Sequence, residues 1–573
     1  MTEAADLVIV NGRVFDGRVR TASTAVAVAG DRIVRVGSDA RVLELRGAET
    51  RVIDAAGGVI HPGFVDAHAH AAFAGVERLS IDLTPAASVE ETLELIRAGA
   101  ERSDAEWLTG GGWSHELFPM PTRHELDAIV SDRPVALSDA GHHTLWVNSR
   151  ALELAGVDRD TPQPHNGHIH LDEHGDPVGY LNETAAELVG RVIPPATDDE
   201  VHAGLLNAQE YLWSLGVTGW HEAILGEYNG KADCTPAYLA SIGSGELRSA
   251  TSGALWIAPG LQLEEVPALV ARFVEQRARN ALAGFSTSTA KAMIDGVPHG
   301  ETAALLEPYC NHGDGFAGEL HFDEAVIRAF VAQLDATGFA LHLHVMGDRG
   351  IRVALDAIEA ARAARVSAAS ASAPLGPAPR HHIAHLSMVQ PEDAARFGPL
   401  GVTANIQGLW AAPDPYVVPM IGDERMRAGY PFRAIADGGA DLAMGSDWPV
   451  SPADPWLAIH VVVNRWAPPP PGVVPDAPGA TPATALGSSQ AAALGSTRAT
   501  LDAEHQSLTL EQAFAAYTSG SSELVLGRPG RVRVGERADL AVATGDPFEL
   551  PAEAIVSLQT AVTVVGGEVV FER

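Results

Sequence analysis

Two imidazoles one residue apart, His68 and His70, end the run His61-Pro-Gly-Phe-Val-Asp-Ala-His-Ala-His70. On a strand, side chains two apart point the same way, so both rings can meet one ion. Imidazole nitrogen suits zinc and similar borderline metals. An HxH pair alone is often a surface accident. Its weight here comes from four further residues placed after apolar runs. Lys291 follows residues 286–290, His344 closes residues 339–343, His385 ends His382-Ile-Ala-His385, and Asp447 stands in Met444-Gly-Ser-Asp-Trp-Pro449. Taken singly, Lys291 reads as a surface lysine, each histidine as a ring satisfied by backbone groups, and Asp447 as a helix N-cap. Their shared order and placement argue against chance. Asp66, on the face of the histidine pair, reads either as a carboxylate that orients a ligand or as a polar strand-end residue.

Such residues need a frame that brings distant strand ends together. Between residues 62 and 525, helical stretches (89–98, 197–215, 325–337, 351–364) alternate with short apolar strands (135–137, 339–341, 402–405, 442–444). This alternation predicts parallel βα units, and with 573 residues an α/β fold built on a (β/α)8 TIM-like barrel. Functional groups then belong at the C-terminal ends of the strands. Both termini read as short strands. Asn11-Gly12 and Gly30-Asp31 near the start, and Gly566-Gly567 near the end, are hairpin signals. We expect a small β-sandwich domain built from residues 1–61 and 526–573, flanking a barrel with insertions at 62–525. Residues 367–379 read as an Ala/Ser/Pro-rich surface loop. Residues 467–500, with four consecutive prolines, read either as a long excursion near the barrel mouth or, in the favoured reading, as an insertion without catalytic consequence.

Composition narrows the function classes. The chain is 46% hydrophobic and 20% charged, as folded globular proteins are. Acidic residues outnumber basic ones 73 to 39, a formal charge of −34 that repels nucleic acid and anionic membrane. Cys234 and Cys310 are too few for a disulfide framework and read as free thiols in a reducing compartment. The opening residues carry acids where a signal peptide carries bases, and no apolar run reaches the roughly 20 residues that span a bilayer. The expectation is a cytoplasmic enzyme acting on a small molecule, with no nucleic-acid or membrane partner and a homodimer left open.

The motifs in order resemble the amidohydrolase superfamily, specifically the N-substituted formamide deformylase-like branch. The resemblance spans nearly the whole chain: Ala5–Asp16, His61–His70, Gly141-His-His-Thr-Leu-Trp-Val-Asn-Ser149, Lys291–Gly296, His344–Asp348, Arg380–His385, Gly445–Pro449, Leu508–Ala513, Tyr517-Thr518 and Gly535–Leu540. It implies two divalent metal ions, zinc by the ligand set. His68, His70 and Asp447 would hold the more buried ion, and His344 and His385 the second. Lys291, carboxylated by carbon dioxide, would bridge them, because an ammonium cannot ligate a cation and a carbamate can. It further implies attack by an activated hydroxide on a carbonyl, with Asp447 as general base and then acid. His143, three residues before Trp146, would contact the scissile group, with His142 beside it. Trp113 would wall the pocket and Gln407 would help orient substrate; Trp410 and Trp448 would also bind substrate, and read equally as barrel-end packing residues.

The chain departs from the branch at Ile383-Ala384, where an acid is common, and at Asn405-Ile-Gln-Gly408, which lacks a following proline. Both bear on the substrate, because loops set pockets. Weaker signals are the histidine-rich loop His165, His168, His170 and His174, the strand-end pair His221-Glu222, and Glu183. The function expected is hydrolysis of a carbon–nitrogen bond in a linear amide, such as an N-formyl or N-acyl amine. The alternatives are a cyclic amide, ester or lactone at the same metals, and a non-catalytic scaffold on this fold.

Overall fold

The computed structural model describes residues 4–115, 117–139, 144–164, 167–228, 231–371, 377–414, 416–467 and 501–573. Its centre is a sheet of eight strands: β1 (Phe64–Ala69), β2 (Val217–Leu225), β3 (Ala250–Trp256), β4 (Ser286–Met293), β5 (Ala340–Val345), β6 (His382–His385), β7 (Thr403–Gln407) and β8 (Leu442–Gly445). Each pairs in parallel with its neighbour in sequence. The sheet curls until its two edges nearly meet. Just past them Ala69 bridges Trp448 in parallel, the Asp447 N–H donates to the His68 carbonyl at 2.7 Å, and the His70 N–H donates to the Trp448 carbonyl at 2.8 Å. The expected α/β barrel is therefore present.

Helices wrap the sheet for the usual reason: each carries an apolar stripe that only the barrel can cover. Two examples are α1 (Ala71–Leu79) and α2 (Asp198–Ser214). Thr197 and Glu200 close a capping box at the start of α2, and Val201, Leu205, Ala208 and Leu212 form its buried stripe. The two helices cross closely at Gly75 and Gly204, where a Cβ on Gly75 would lie 1.8 Å from the Gly204 carbonyl oxygen. The helix expected at 351–364 is longer, Asp348–Ala371, and takes in the start of the stretch read as a loop; residues 372–376 lie outside the described residues. Most of the proline-rich stretch, residues 468–500, also lies outside them.

One strand belongs elsewhere than expected. Val135–Asp139 joins a six-stranded sheet inserted between β1 and β2, with partners Leu108–Trp113 and Thr144–Val147. A short apolar run reads alike in either sheet, and only distant pairing decides its place. Asn11-Gly12 is likewise not a hairpin turn. Ala5–Val10 pairs with Ala25–Ala29 and Arg46–Asp54, while Arg13–Val14 enters a second sheet beside Val59–Pro62. That second sheet also holds Leu540–Ala543, Thr560–Val565 and Glu568–Glu572, so strands from both ends of the chain pair within it. The two sheets share a core of Leu7, Ile9, Val26, Ile60, Leu540 and Val564. Among the described residues, no helix is long and apolar enough to cross a membrane.

The barrel seam has no spare room. A Cβ on Gly445 would sit 2.4 Å from the His68 backbone nitrogen and 2.8 Å from Asp66 Oδ1. Gly445→Ala should therefore destabilise the fold by about 1–3 kcal/mol, as overpacking does. Urea denaturation reads this directly; an unchanged midpoint would mean that β1 and β8 can separate freely.

Candidate metal centre

All six ligand-type residues lie at or just beyond the C-terminal ends of barrel strands, and they meet. Asp447 Oδ1 lies 3.2 Å from His68 Nε2 and 3.2 Å from His70 Nε2. Lys291 Nζ lies 3.3 Å from His68 Nε2. The His385 ring centroid is 5.0 Å from that of His68 and 4.3 Å from that of His344. One ligand atom each from His68, His385 and Asp447 falls within 4.8 Å of the others.

These groups fit a cation. Both ring nitrogens of His385 are buried without a hydrogen-bond partner. Leaving such atoms unsatisfied costs roughly 1–3 kcal/mol each, and a metal ion would satisfy them. Burial also sets the charge states. It pushes His68 down to about 4, with Lys291 adding to the effect, and His344 down to about 3. His70 and His385 are lowered for the same reason. Burial would raise the Asp447 carboxyl, but His68, His70 and His385 around it hold it well below the usual carboxylate range. Burial lowers Lys291 to about 7, against the pull of Asp447. Near neutral pH the site thus offers neutral imidazoles, a carboxylate and a lysine near its own midpoint, which are the forms that bind metal or take up carbon dioxide.

The backbone is bent to achieve this. His385 (φ 77°) and Asp447 (φ 60°) occupy the left-handed region, at a cost on the order of 1–3 kcal/mol each. Specific bonds hold them there. The His385 N–H donates to Gln407 Oε1 at 2.8 Å, and the Asp447 N–H to the His68 carbonyl. Asp66 acts through the backbone rather than on a ring: its carboxylate accepts from the His68 N–H, the Ser446 N–H and the Ser446 hydroxyl, tying β1 to the turn after β8.

The substrate-binding candidates separate. Trp410 stacks on His385 at 4.8 Å and 9°, its indole N–H donating to Ser451 Oγ at 3.3 Å. Gln407 is buried behind His385. Trp448 supplies the carbonyl that holds His70, and its ring lies 5.1 Å from Tyr211. Trp113 sits in the core of the inserted sheet, 1% exposed, with its N–H on the Leu137 carbonyl at 3.1 Å. His142 and His143 lie outside the described residues.

His168 and His170 lie on the strand Gly167–Leu171, which pairs in a hairpin with Pro177–Glu183, and His170 Nε2 is 2.6 Å from Asn182 Oδ1. His174 is exposed, and so is Glu183, at the strand end; His165 lies outside the described residues. Glu222 accepts from the Tyr238 hydroxyl at 2.6 Å and the Ala72 N–H at 3.2 Å, so it braces the start of α1. Cys234 and Cys310 are both free thiols.

Sequence reasoning missed two features. Asp295 accepts the N–H groups of Ala304, Met346 and Gly347 and so fixes the turn after His344. Nothing local announces that role. His342, two residues before His344, repeats the HxH spacing of His68 and His70, and that repeat was a readable signal.

A family model described as amidohydrolase family matches residues 51–571. The chain belongs to the amidohydrolase family. As an amidohydrolase it is an enzyme that hydrolyses carbon–nitrogen bonds. It is 28% identical over 558 residues to YtcJ of Bacillus subtilis strain 168, covering 96% of each chain. It is 25% identical over 610 residues to the N-substituted formamide deformylase of Arthrobacter pascens, covering 100% of this chain and 99% of that one. Its fold is similar to that of an uncharacterized metal-dependent hydrolase from Pyrococcus furiosus, with a TM-score of 0.68 at 24% identity over 95% of this chain and 100% of that one.

Asp447→Asn in this amidohydrolase keeps the shape of the side chain and removes its charge. Turnover should fall by roughly 10²- to 10⁴-fold while the circular dichroism spectrum stays native. A variant of wild-type activity would take Asp447 out of the chemistry.

Proposed function

We propose that this amidohydrolase cleaves the carbon–nitrogen bond of a linear amide, an N-formyl or N-acyl amine, with two divalent ions, zinc by first choice, and a carboxylated Lys291. The reading rests on Lys291. It is fully buried, its Nζ is 3.3 Å from His68 Nε2, and burial holds its amine near 7. A lysine that is partly unprotonated among neutral imidazoles is a poor ligand as an amine and a good one as a carbamate. The free amine adds to carbon dioxide, forming an N–C bond and losing one proton, and the product is an anion with two oxygens. His68, His70 and Asp447 would then hold one ion, His344 and His385 the other, with Lys291 between. When bound, such ions acidify a water and polarise the carbonyl it attacks.

The chain's own part is proton handling and orientation. Asp447, already ionised, can take the proton of the attacking water and return it to the nitrogen that leaves as the amide bond breaks. Trp410 lies flat on His385 and keeps that ring in place. The full-length likeness to a protein named N-substituted formamide deformylase supports a linear amide. A non-catalytic scaffold would have no use for a complete, buried ligand set.

Purified enzyme should turn over N-substituted formamides and leave cyclic imides, esters and lactones untouched. Turnover of a cyclic amide alone would move the assignment to that class. Lys291→Ala should lower bound metal from about two equivalents to one or fewer by elemental analysis. Added formate or propionate should restore part of the activity by standing in for the carbamate; full metal content in this variant would refute the bridging role.

A further inference from the structure

Beneath the metal centre lies a second group of imidazoles, His221 on β2, His342 on β5 and His382 on β6, all buried in the barrel interior. One ring nitrogen from each falls within 4.8 Å of the other two. By residue type this is a three-histidine metal site. Hydrogen bonding argues otherwise.

A neutral imidazole has one N–H and one lone pair. His68 Nε2 faces Lys291 Nζ and Asp447 Oδ1, so it is the nitrogen that would ligate. Its proton must then sit on Nδ1, which is 3.1 Å from His342 Nε2. His342 Nε2 accepts that bond, and the His342 proton moves to Nδ1. That atom is buried without a protein partner. His382 is fixed separately. Asn405 Nδ2 donates to the Ala67 carbonyl at 2.9 Å, which settles the amide orientation, and it lies 3.1 Å from His382 Nδ1. His382 Nδ1 therefore accepts, and Nε2 carries the proton. His221 Nδ1 is 2.8 Å from Ser252 Oγ, and its Nε2 is buried without a partner.

We propose that His342 is a positioning residue that fixes the metal-competent tautomer of His68, and that the three-histidine cluster holds a buried water rather than a third metal ion. The inference rests on the reading of His68 as a metal ligand. A cation here would need a lone pair from His342, and the bond to His68 leaves none, because it occupies Nε2 and puts the proton on Nδ1. It would also add buried positive charge below a cationic centre, with no carboxylate in the cluster to offset it. A water can instead accept from the N–H groups of His342 and His382 and donate to His221 Nε2, which satisfies both orphaned nitrogens.

Zinc titration of chelator-stripped full-length enzyme, with competition for affinity and elemental analysis for stoichiometry, tests this. Wild type should bind two equivalents. His342→Phe should bind zinc about 10- to 100-fold more weakly, and His342→Gln, whose Oε1 can accept the bond, should stay within a few-fold of wild type. A third equivalent in wild type that is lost in His221→Phe overturns the proposal, as does wild-type affinity in His342→Phe. Wild type that binds no zinc sinks the metal-centre reading itself, and the proposal with it. Because a variant can fail to fold, the zinc-loaded wild type labelled with ¹⁵N-histidine gives an independent reading. His68 and His342 should both carry their proton on Nδ1; a proton on His342 Nε2 refutes the relay.

Discussion

Exclusion of water from the barrel rim governs the chemistry of this site. Burial disfavours every charged form, so the imidazoles of His68, His344 and His385 are neutral and Lys291 titrates near neutrality. Asp447 escapes that trend only because His68, His70 and His385 surround it. In water near neutral pH the lysine would be an ammonium, which cannot ligate a cation, and a minority of the histidines would carry a proton in place of a free lone pair. The barrel supplies the exclusion by closing its rim around these side chains.

That closure depends on the seam between β1 and β8. Asp66 gathers the His68 N–H and both donors of Ser446, while the Asp447 N–H reaches the His68 carbonyl. The same few bonds therefore join the first and last strands and set the geometry of three of the proposed ligands. Gly445 packs against the His68 backbone with no room for a Cβ, so β8 lies directly against a proposed ligand. The left-handed backbone at His385 and Asp447 belongs to the same economy: strain at the rim is held by bonds from β7 and β1.

Support for the ligands extends inward as well as sideways. Gln407 holds the His385 backbone and contacts Asn405, Asn405 holds His382, and His342 contacts His68. Polar residues thus continue below the rim, where an ordinary barrel would be packed with aliphatic side chains. Trp113, expected to wall the pocket, is buried in the core of the inserted sheet that follows α1.

The identities, order and strand-end placement of His68, His70, Lys291, His344, His385 and Asp447 were legible in the amino-acid sequence, because strand period and the apolar run before each residue are local properties. The alternation that announces a barrel was legible for the same reason. Only the tertiary structure decided that Val135–Asp139 leaves the barrel, that Asn11-Gly12 passes between two sheets, that Gln407 sits behind His385, and that His221, His342 and His382 form one cluster. Each of these depends on pairing or desolvation between segments far apart in the chain, and no local pattern of residue types encodes which distant strand a given one will meet.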